Sequence, residues 1–211
     1  MSNTHPLYQA VLTGDVRTAK AVTQEALAAG VPPQQLLDEQ MVPAMDEVGR
    51  RFETHEYFVP ELLLAARAMK GALEFIRPLL ADSGAKSAGK VAIGTVKGDL
   101  HDIGKNLVLA MLEGGGFEIV DLGVDVPVEK FIAAVKEQGA NIVAMSALLT
   151  TTMPSMKAAI AAFSEAGIRD KVKIMVGGAP VTQDFADEIG ADGFSDNASG
   201  AVRLARTLVA N

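Results

Sequence analysis

An imidazole with a carboxylate on either side stands in the run Gly98-Asp99-Leu100-His101-Asp102-Ile103-Gly104. A neutral imidazole makes a good metal ligand when an acceptor orients its second nitrogen, and Asp99, two residues before His101, is such an acceptor. The run follows an apolar stretch, residues 91–96, and precedes a helix-like one, residues 105–113. A strand that hands over to a helix through a glycine-flanked loop sits at the carboxyl edge of a parallel sheet, where open α/β sheets bind ligands. We read His101 as a ligand to a metal that belongs to a large bound cofactor.

The elements needed to place that loop follow from the pattern after residue 90. Apolar runs at 90–96, 117–122, 141–147, 172–177 and, weakly, 192–195 alternate with helix-like stretches near 103–113, 127–138, 153–166, 181–189 and 198–210. Gly114-Gly115-Gly116 and Gly139 punctuate helix ends, and Pro127 and Pro154 stand at helix starts. Five strands alternating with five helices predict a doubly wound, five-stranded parallel sheet, flavodoxin-like or Rossmann-like. Right-handed crossovers then gather the loops 97–104, 123–127, 146–153, 177–182 and 196–199 on one edge.

Those loops share a character. Ser146-Ala147-Leu148-Leu149-Thr150-Thr151-Thr152 carries four hydroxyls in seven residues, more than packing requires, although some would cap the following helix. Gly177-Gly178 permits close approach of a ligand to the backbone. Asp196-Asn197-Ala198-Ser199 adds small polar groups at a helix start. Small residues around one cleft suit a slot for a long ligand. A dinucleotide site has little support, because the first loop lacks G-x-G-x-x-G and only Asp121 stands at a plausible distance. No P-loop motif occurs, and a receiver domain would need an Asp where Ser146 stands.

The first 82 residues show no period-two strand. Asp15 can cap a helix to about residue 29, stopped by Gly30. A second helical stretch begins near Pro32-Pro33, with Leu36, Leu37, Met41, Met45, Val48 and Phe52 largely on one face, and Pro43 should kink or split it. Residues 58–80 follow the helical period through Leu62, Leu63, Ala66, Met69, Leu73 and Ile76. Such helices predict a small bundle. Between the last two, residues 52–62 crowd three aromatics, His55 and Pro60 into an inter-helix turn, and bulky apolar groups at a bundle end bury against something. His55 itself is left without a role. Residues 81–89 are small and polar, so we expect a helical domain over 1–82, a linker over 83–89 and the α/β domain over 90–211.

Composition narrows the function. The 211 residues are 49% apolar but only 5% aromatic, with nine methionines and no tryptophan, so aliphatic side chains must fill the core. A net charge of −7 argues against a nucleic-acid partner. Zero cysteines exclude disulfides and thiolate chemistry and fit a reducing cytoplasm. No signal-peptide pattern or long apolar span occurs, so no membrane role is expected.

Asp99-x-His101-x-x-Gly104, then 41 residues to Ser146-x-Leu148, then 28 residues to Gly177-Gly178, resembles the signature of cobalamin-binding domains. From about residue 5 to 210 the chain is similar to the two-domain corrinoid proteins of methyltransferase systems. These are the partners of methanol, methylamine, betaine and aryl-ether methyltransferases and relatives of the cobalamin module of methionine synthase. The resemblance implies cobalamin held base-off, with His101 as the lower axial cobalt ligand. The displaced nucleotide tail would lie along Ser146, Leu148, Thr150, Gly177, Gly178 and Ala198, past Gly104, with Gly98, Leu100 and Asp102 in the binding loop. Asp99, His101 and Thr152 would form a hydrogen-bonded proton relay, threonine standing where serine is frequent. Phe52, Val59 and Leu62 would cap the upper corrin face. It further implies a shuttle that is not a complete enzyme alone, cycling between methylcobalamin and cob(I)alamin. Its partners would be a substrate-specific methyltransferase, a tetrahydrofolate- or thiol-methylating methyltransferase and a reductive activase. A cobalamin-dependent sensor is the alternative, though it should carry a DNA-binding segment.

Overall fold

The computed structural model describes residues 5–83 and 88–210, so most of the expected linker lies outside the described residues. Contacts divide the chain into two compact units, residues 1–87 with 113–116 and residues 88–112 with 117–211.

The first unit is helical, as the pattern requires. Helix α1 (Pro6–Thr13) is one the sequence pattern left unassigned; His5 Nδ1 accepts the Leu7 amide at its start. Helix α2 (Val16–Ala28) begins where Asp15 Oδ1 accepts the Thr18 amide at 3.0 Å, and Gly30 follows its end. Pro43 does split the next stretch. Helix α3 (Pro33–Leu36) passes into one wide turn, Leu37–Met41, in which the Val42 amide reaches back to the Leu37 carbonyl, and α4 (Val42–Glu53) restarts with the proline in its first turn. A proline has no N–H for the ordinary ladder, so it fits there at little cost. Leu36, Leu37, Met41, Met45 and Val48 are buried, as their spacing predicts. In α5 (Val59–Ser83) Leu62, Met69, Leu73 and Ile76 are buried, but Leu63 is exposed and Ala65 takes its place inside.

The second unit is a five-stranded, wholly parallel sheet in the order β2-β1-β3-β4-β5. Its strands are β1 (Lys90–Val96), β2 (Glu118–Val126), β3 (Ile142–Ser146), β4 (Lys173–Gly177) and β5 (Gly193–Phe194). The connecting helices are α6 (Ile103–Gly114), α7 (Val128–Gln138), α8 (Pro154–Glu165) and α9 (Gln183–Ile189), and α10 (Ala198–Ala210) closes the unit. One expectation needs correcting. The loop predicted at 123–127 is largely strand, because β2 runs on to Val126 through two register shifts against β1.

Phe131, Ala134, Met156, Ile160 and Phe163 from α7 and α8 pack with Ala92, Val143, Met145, Ile174 and Val176 of the sheet, and Ala186 and Ile189 of α9 join them. None of that core comes from α6 or α10. This is what right-handed crossovers dictate for this strand order: three helices on one face, two on the other. Phe131 and Phe163 are essentially fully buried, each contributing roughly 1.5–3 kcal/mol. The direction of winding reverses between β1 and β3, which opens a crevice at their carboxyl ends. The residues singled out by their chemistry follow those two strands.

Candidate functional site

His101 lies in the six-residue loop, 97–102, between the end of β1 and the start of α6, and Asp99 is the post around which that loop is built. The Asp99 side chain is completely buried and accepts five hydrogen bonds. Its Oδ1 takes the His101 amide at 3.0 Å and the His101 ring Nδ1 at 2.7 Å. Its Oδ2 takes the Leu148 amide at 2.8 Å, the Leu149 amide at 3.3 Å and the Thr152 hydroxyl at 2.8 Å. The carboxylate therefore ties the loop after β1 to the loop after β3 across the switch point. Burial alone would push its pKa up. The backbone donors of His101 and Leu148, then the His101 ring and the Thr152 hydroxyl, outweigh burial and hold the carboxyl well below its usual range.

An ionised Asp99 only accepts, so Nδ1 of His101 carries the proton and Nε2 keeps its lone pair. The His101 side chain is 49% exposed, so that lone pair is presented at the surface of the crevice. The backbone is fixed as well: buried Thr95 donates its hydroxyl to the His101 carbonyl at 2.8 Å. Thr152 can offer its single proton to Asp99 or to the Leu149 carbonyl, both at 2.8 Å, so the methyl that distinguishes it from serine does not stop its hydroxyl from reaching the carboxylate.

Around this centre the other predicted residues sort themselves. Leu100 and Ile103 are 72% and 81% exposed, and Leu148 and Leu149 are exposed beside them, an apolar rim on a loop edge that would ordinarily be polar. A methyl group built on Gly104 would meet nothing within 4 Å, so the first turn of α6 is open on that side. Asp102 faces solvent and accepts from the Asn106 amide side chain at 3.1 Å. The side-chain hydroxyls of Ser146 and Thr150 make no hydrogen bond among the described residues, which leaves them to solvent or a ligand. Gly178 has a duty of its own. With φ +128 and a Cβ that would collide with the Ala147 carbonyl oxygen, it is required by the close passage of the β3 and β4 exits, whatever the cleft holds. Gly177 likewise faces the Ser195 carbonyl. Ala198 is buried at the start of α10, where Asn197 caps the Gly200 amide at 2.7 Å.

Within the helical unit Phe52 is half-buried near the end of α4, Val59 is exposed at the start of α5, and Leu62 is fully buried. The crowded turn between those helices is partly explained. Arg51 stacks 5.1 Å over the Tyr57 ring and donates to its hydroxyl, which in turn reaches the Leu12 carbonyl. Phe58, 60% exposed, has no such account.

Sequence reasoning missed two partners of the site. Lys105, buried on α6, places its ammonium 2.6 Å from Asp121 of β2, so that carboxylate is engaged with a lysine and the 123 amide rather than poised for a ribose. Asp125 grips the loop before His101 from β2. Neither pairing has a local signature, since the residues concerned are 16 and about 27 positions apart in sequence.

The donor set tests what could bind here. Among the described residues no three His, Cys, Asp or Glu side chains converge on a metal position. One outward nitrogen on a rigid post, with an apolar rim and an open helix start beside it, fits a metal that brings its own equatorial ligands in a large, partly apolar ring. Nor is any helix long and apolar enough, among the described residues, to cross a membrane.

Comparison with known proteins points the same way. Residues 89–203 and residues 4–77 each match a B12 binding domain. The trimethylamine corrinoid protein of Methanosarcina barkeri is 47% identical over 92% of this chain and 90% of its own length. The dimethylamine corrinoid protein of the same organism is 42% identical over 97% and 96%. Among solved structures, the methanol:cobalamin methyltransferase complex of Methanosarcina barkeri contains a chain that superposes with a TM-score of 0.85 at 33% identity, covering 98% of this chain and 79% of that one.

Proposed function

We propose that this chain, which belongs to the family of B12-binding corrinoid proteins, holds its cobalamin with the cofactor's own base displaced and His101 in the lower axial position, and carries a methyl group from one methyltransferase to another. The observation behind the ligand assignment is the one-sided tethering of the imidazole: Nδ1 lies 2.7 Å from a buried carboxylate, while Nε2 is unengaged on a half-exposed side chain. Bound cobalamin supplies the carbon–cobalt chemistry of methyl acceptance and release.

The protein's part is orientation, proton placement and access. Asp99 fixes the tautomer and aim of His101 and raises the donor strength of Nε2. The Asp99 carboxylate, itself steadied by the Thr152 hydroxyl, keeps the ring proton on Nδ1 and so leaves Nε2 to the metal. Ser146, Leu148 and Thr150 along β3 and its loop would offer hydroxyl and apolar surface to the displaced tail, Gly104 would leave it room, and Ala198, buried at the start of α10, would back that slot only from beneath its surface.

The trimethylamine and dimethylamine corrinoid proteins among its relatives support a methylated amine as the donor class, delivered by a substrate-specific methyltransferase. A second methyltransferase, acting on tetrahydrofolate or a thiol, would discharge the carrier, and a reductive activase would restore it. The test is reconstitution with hydroxocobalamin followed by desalting. The wild-type chain should retain the colour, and His101→Ala should alter the visible spectrum. A colourless eluate would refute the carrier; an unchanged spectrum in His101→Ala would refute the ligand. A panel of trimethylamine, dimethylamine, methylamine and methanol with co-expressed methyltransferases then reads the donor.

A further inference from the structure

The geometry points to Asp125 as a positioning residue that holds the β1–α6 loop in the shape that aims His101, an inference that rests on the axial-ligand reading above. Two non-glycine residues among those described have a left-handed backbone, His55 and Asp125, and only Asp125 (φ 51) lies at the sheet edge. A non-glycine residue rarely takes that conformation and keeps it only where its surroundings over-determine it. Here it has a consequence. The turn of the backbone at 125, together with Gly123, shifts the β2 register against β1 and brings both the amide and the carboxylate of Asp125 onto the loop that leaves β1.

The contacts form a clamp on consecutive residues. Asp125 Oδ1 accepts the Gly98 amide at 2.8 Å, the Asp125 amide donates to the Asp99 carbonyl at 2.9 Å, and the carboxylate takes the Lys97 ammonium at 3.1 Å. Gly98 itself has φ +85, so its backbone is fixed in a conformation that the free loop would visit only part of the time. The Asp99 side chain leaves the chain one residue later and must meet five donors at once. Ser155 holds the Lys97 carbonyl from α8 and Thr95 holds the His101 carbonyl from β1. Asp125 is the grip from β2, on the far side of the β1 exit. Without its side chain, the loop keeps its other ties, the main-chain bond from the 125 amide to the Asp99 carbonyl among them, but loses the acceptor that holds the Gly98 amide and the carboxylate that pairs with Lys97.

Two variants separate geometry from charge. Asp125→Asn keeps an acceptor for the Gly98 amide and tolerates the left-handed backbone; Asp125→Gly frees the backbone and removes the acceptor. In the protein without cofactor, the Gly98 and His101 amides of Asp125→Gly should exchange with solvent about tenfold or more faster than in the wild type, the scale of a lost charge-assisted bond, and those of Asp125→Asn within about threefold. In protein loaded with hydroxocobalamin at one fixed pH, the ratio of imidazole-ligated to unligated cofactor should fall about tenfold in Asp125→Gly and recover in Asp125→Asn. Wild-type exchange and ratio in Asp125→Gly, or equal losses in both variants, would overturn the inference. If Asp125→Gly does not fold, the wild-type Gly98 amide decides: exchange at the rate of an open loop overturns it, and protection together with a near-wild-type Asp125→Asn upholds it. A spectrum identical in wild type and His101→Ala would instead strike the ligand reading, and the exchange measurement would still judge Asp125.

Discussion

Replacing Asp99 with asparagine keeps the size of the side chain and removes one acceptor and the charge. All five donors around it are N–H or O–H groups, two on Oδ1 and three on Oδ2. An amide has one oxygen, so one side must face an NH2 group. If the NH2 turns toward His101, it confronts the His101 amide and forces the ring to accept at Nδ1, which moves the proton to Nε2 and abolishes the lone pair. If it turns toward Leu148, that amide and the Leu149 amide lose their acceptor in a buried place. Each unsatisfied buried donor costs about 1–3 kcal/mol, and the surviving bonds lose their charge assistance. The variant without cofactor should therefore be less stable by about 2–5 kcal/mol, and at about 2–4 °C per kcal/mol its melting point should fall by about 4–20 °C. Circular dichroism reads that melt, and the visible spectrum after loading reads the ligand. The depressed Asp99 carboxyl contributes its stability above its unfolded pKa and loses it only as pH falls through the acid range, so the comparison holds at neutral pH. A melting point within about 1 °C of the wild type, with an unchanged spectrum, would refute the five-donor account.

Two glycines should behave oppositely. Gly178→Ala drives a methyl into the Ala147 carbonyl at a left-handed position and should cost more than about 3 kcal/mol, read by urea unfolding, whereas Gly104→Ala enters open space and should leave that transition in place while weakening cobalamin retention about tenfold or more. Thr152→Val removes the hydroxyl on Asp99 and should destabilise the chain by about 1 kcal/mol, with Thr152→Ser close to wild type in the same melt. In the helical unit, hydrogen bonding to Arg50, reinforced by Arg51, pulls the Glu47 carboxyl down to about 2 against the effect of burial. Its stabilisation is present above about pH 4.5 and fades toward pH 2, so an acid titration of the full chain by circular dichroism should separate wild type from Glu47→Gln at neutral pH and bring them together near pH 2.

Much of this could be read from the chain alone, for physical reasons. Long apolar runs such as 141–147 and strongly periodic helices such as 153–166 are local signals, and β3 and α8 form within a residue or so of those bounds. The Asp99–His101 pair is two residues apart, so its chemistry is legible too. Helix α1 escaped because eight residues hold too few turns to show a period. The end of β2 escaped because Gly123 and Asp125 break the alternation while Val126 still pairs with Val96. Asp125 and Lys105 escaped because strand register, a property of two distant segments together, decides what they touch. Thr152 was selected from among four hydroxyls by its family position; the geometry gives the reason, since it alone reaches Asp99.

The axial bond itself can be read directly. Chain grown on nitrogen-15, loaded with cobalamin of natural isotopic abundance and reduced to the paramagnetic cobalt(II) state, should show each cobalt line split into a doublet, because the bound nitrogen belongs to the labelled His101. A triplet, the signature of nitrogen-14 from the cofactor's own base, would contradict the account.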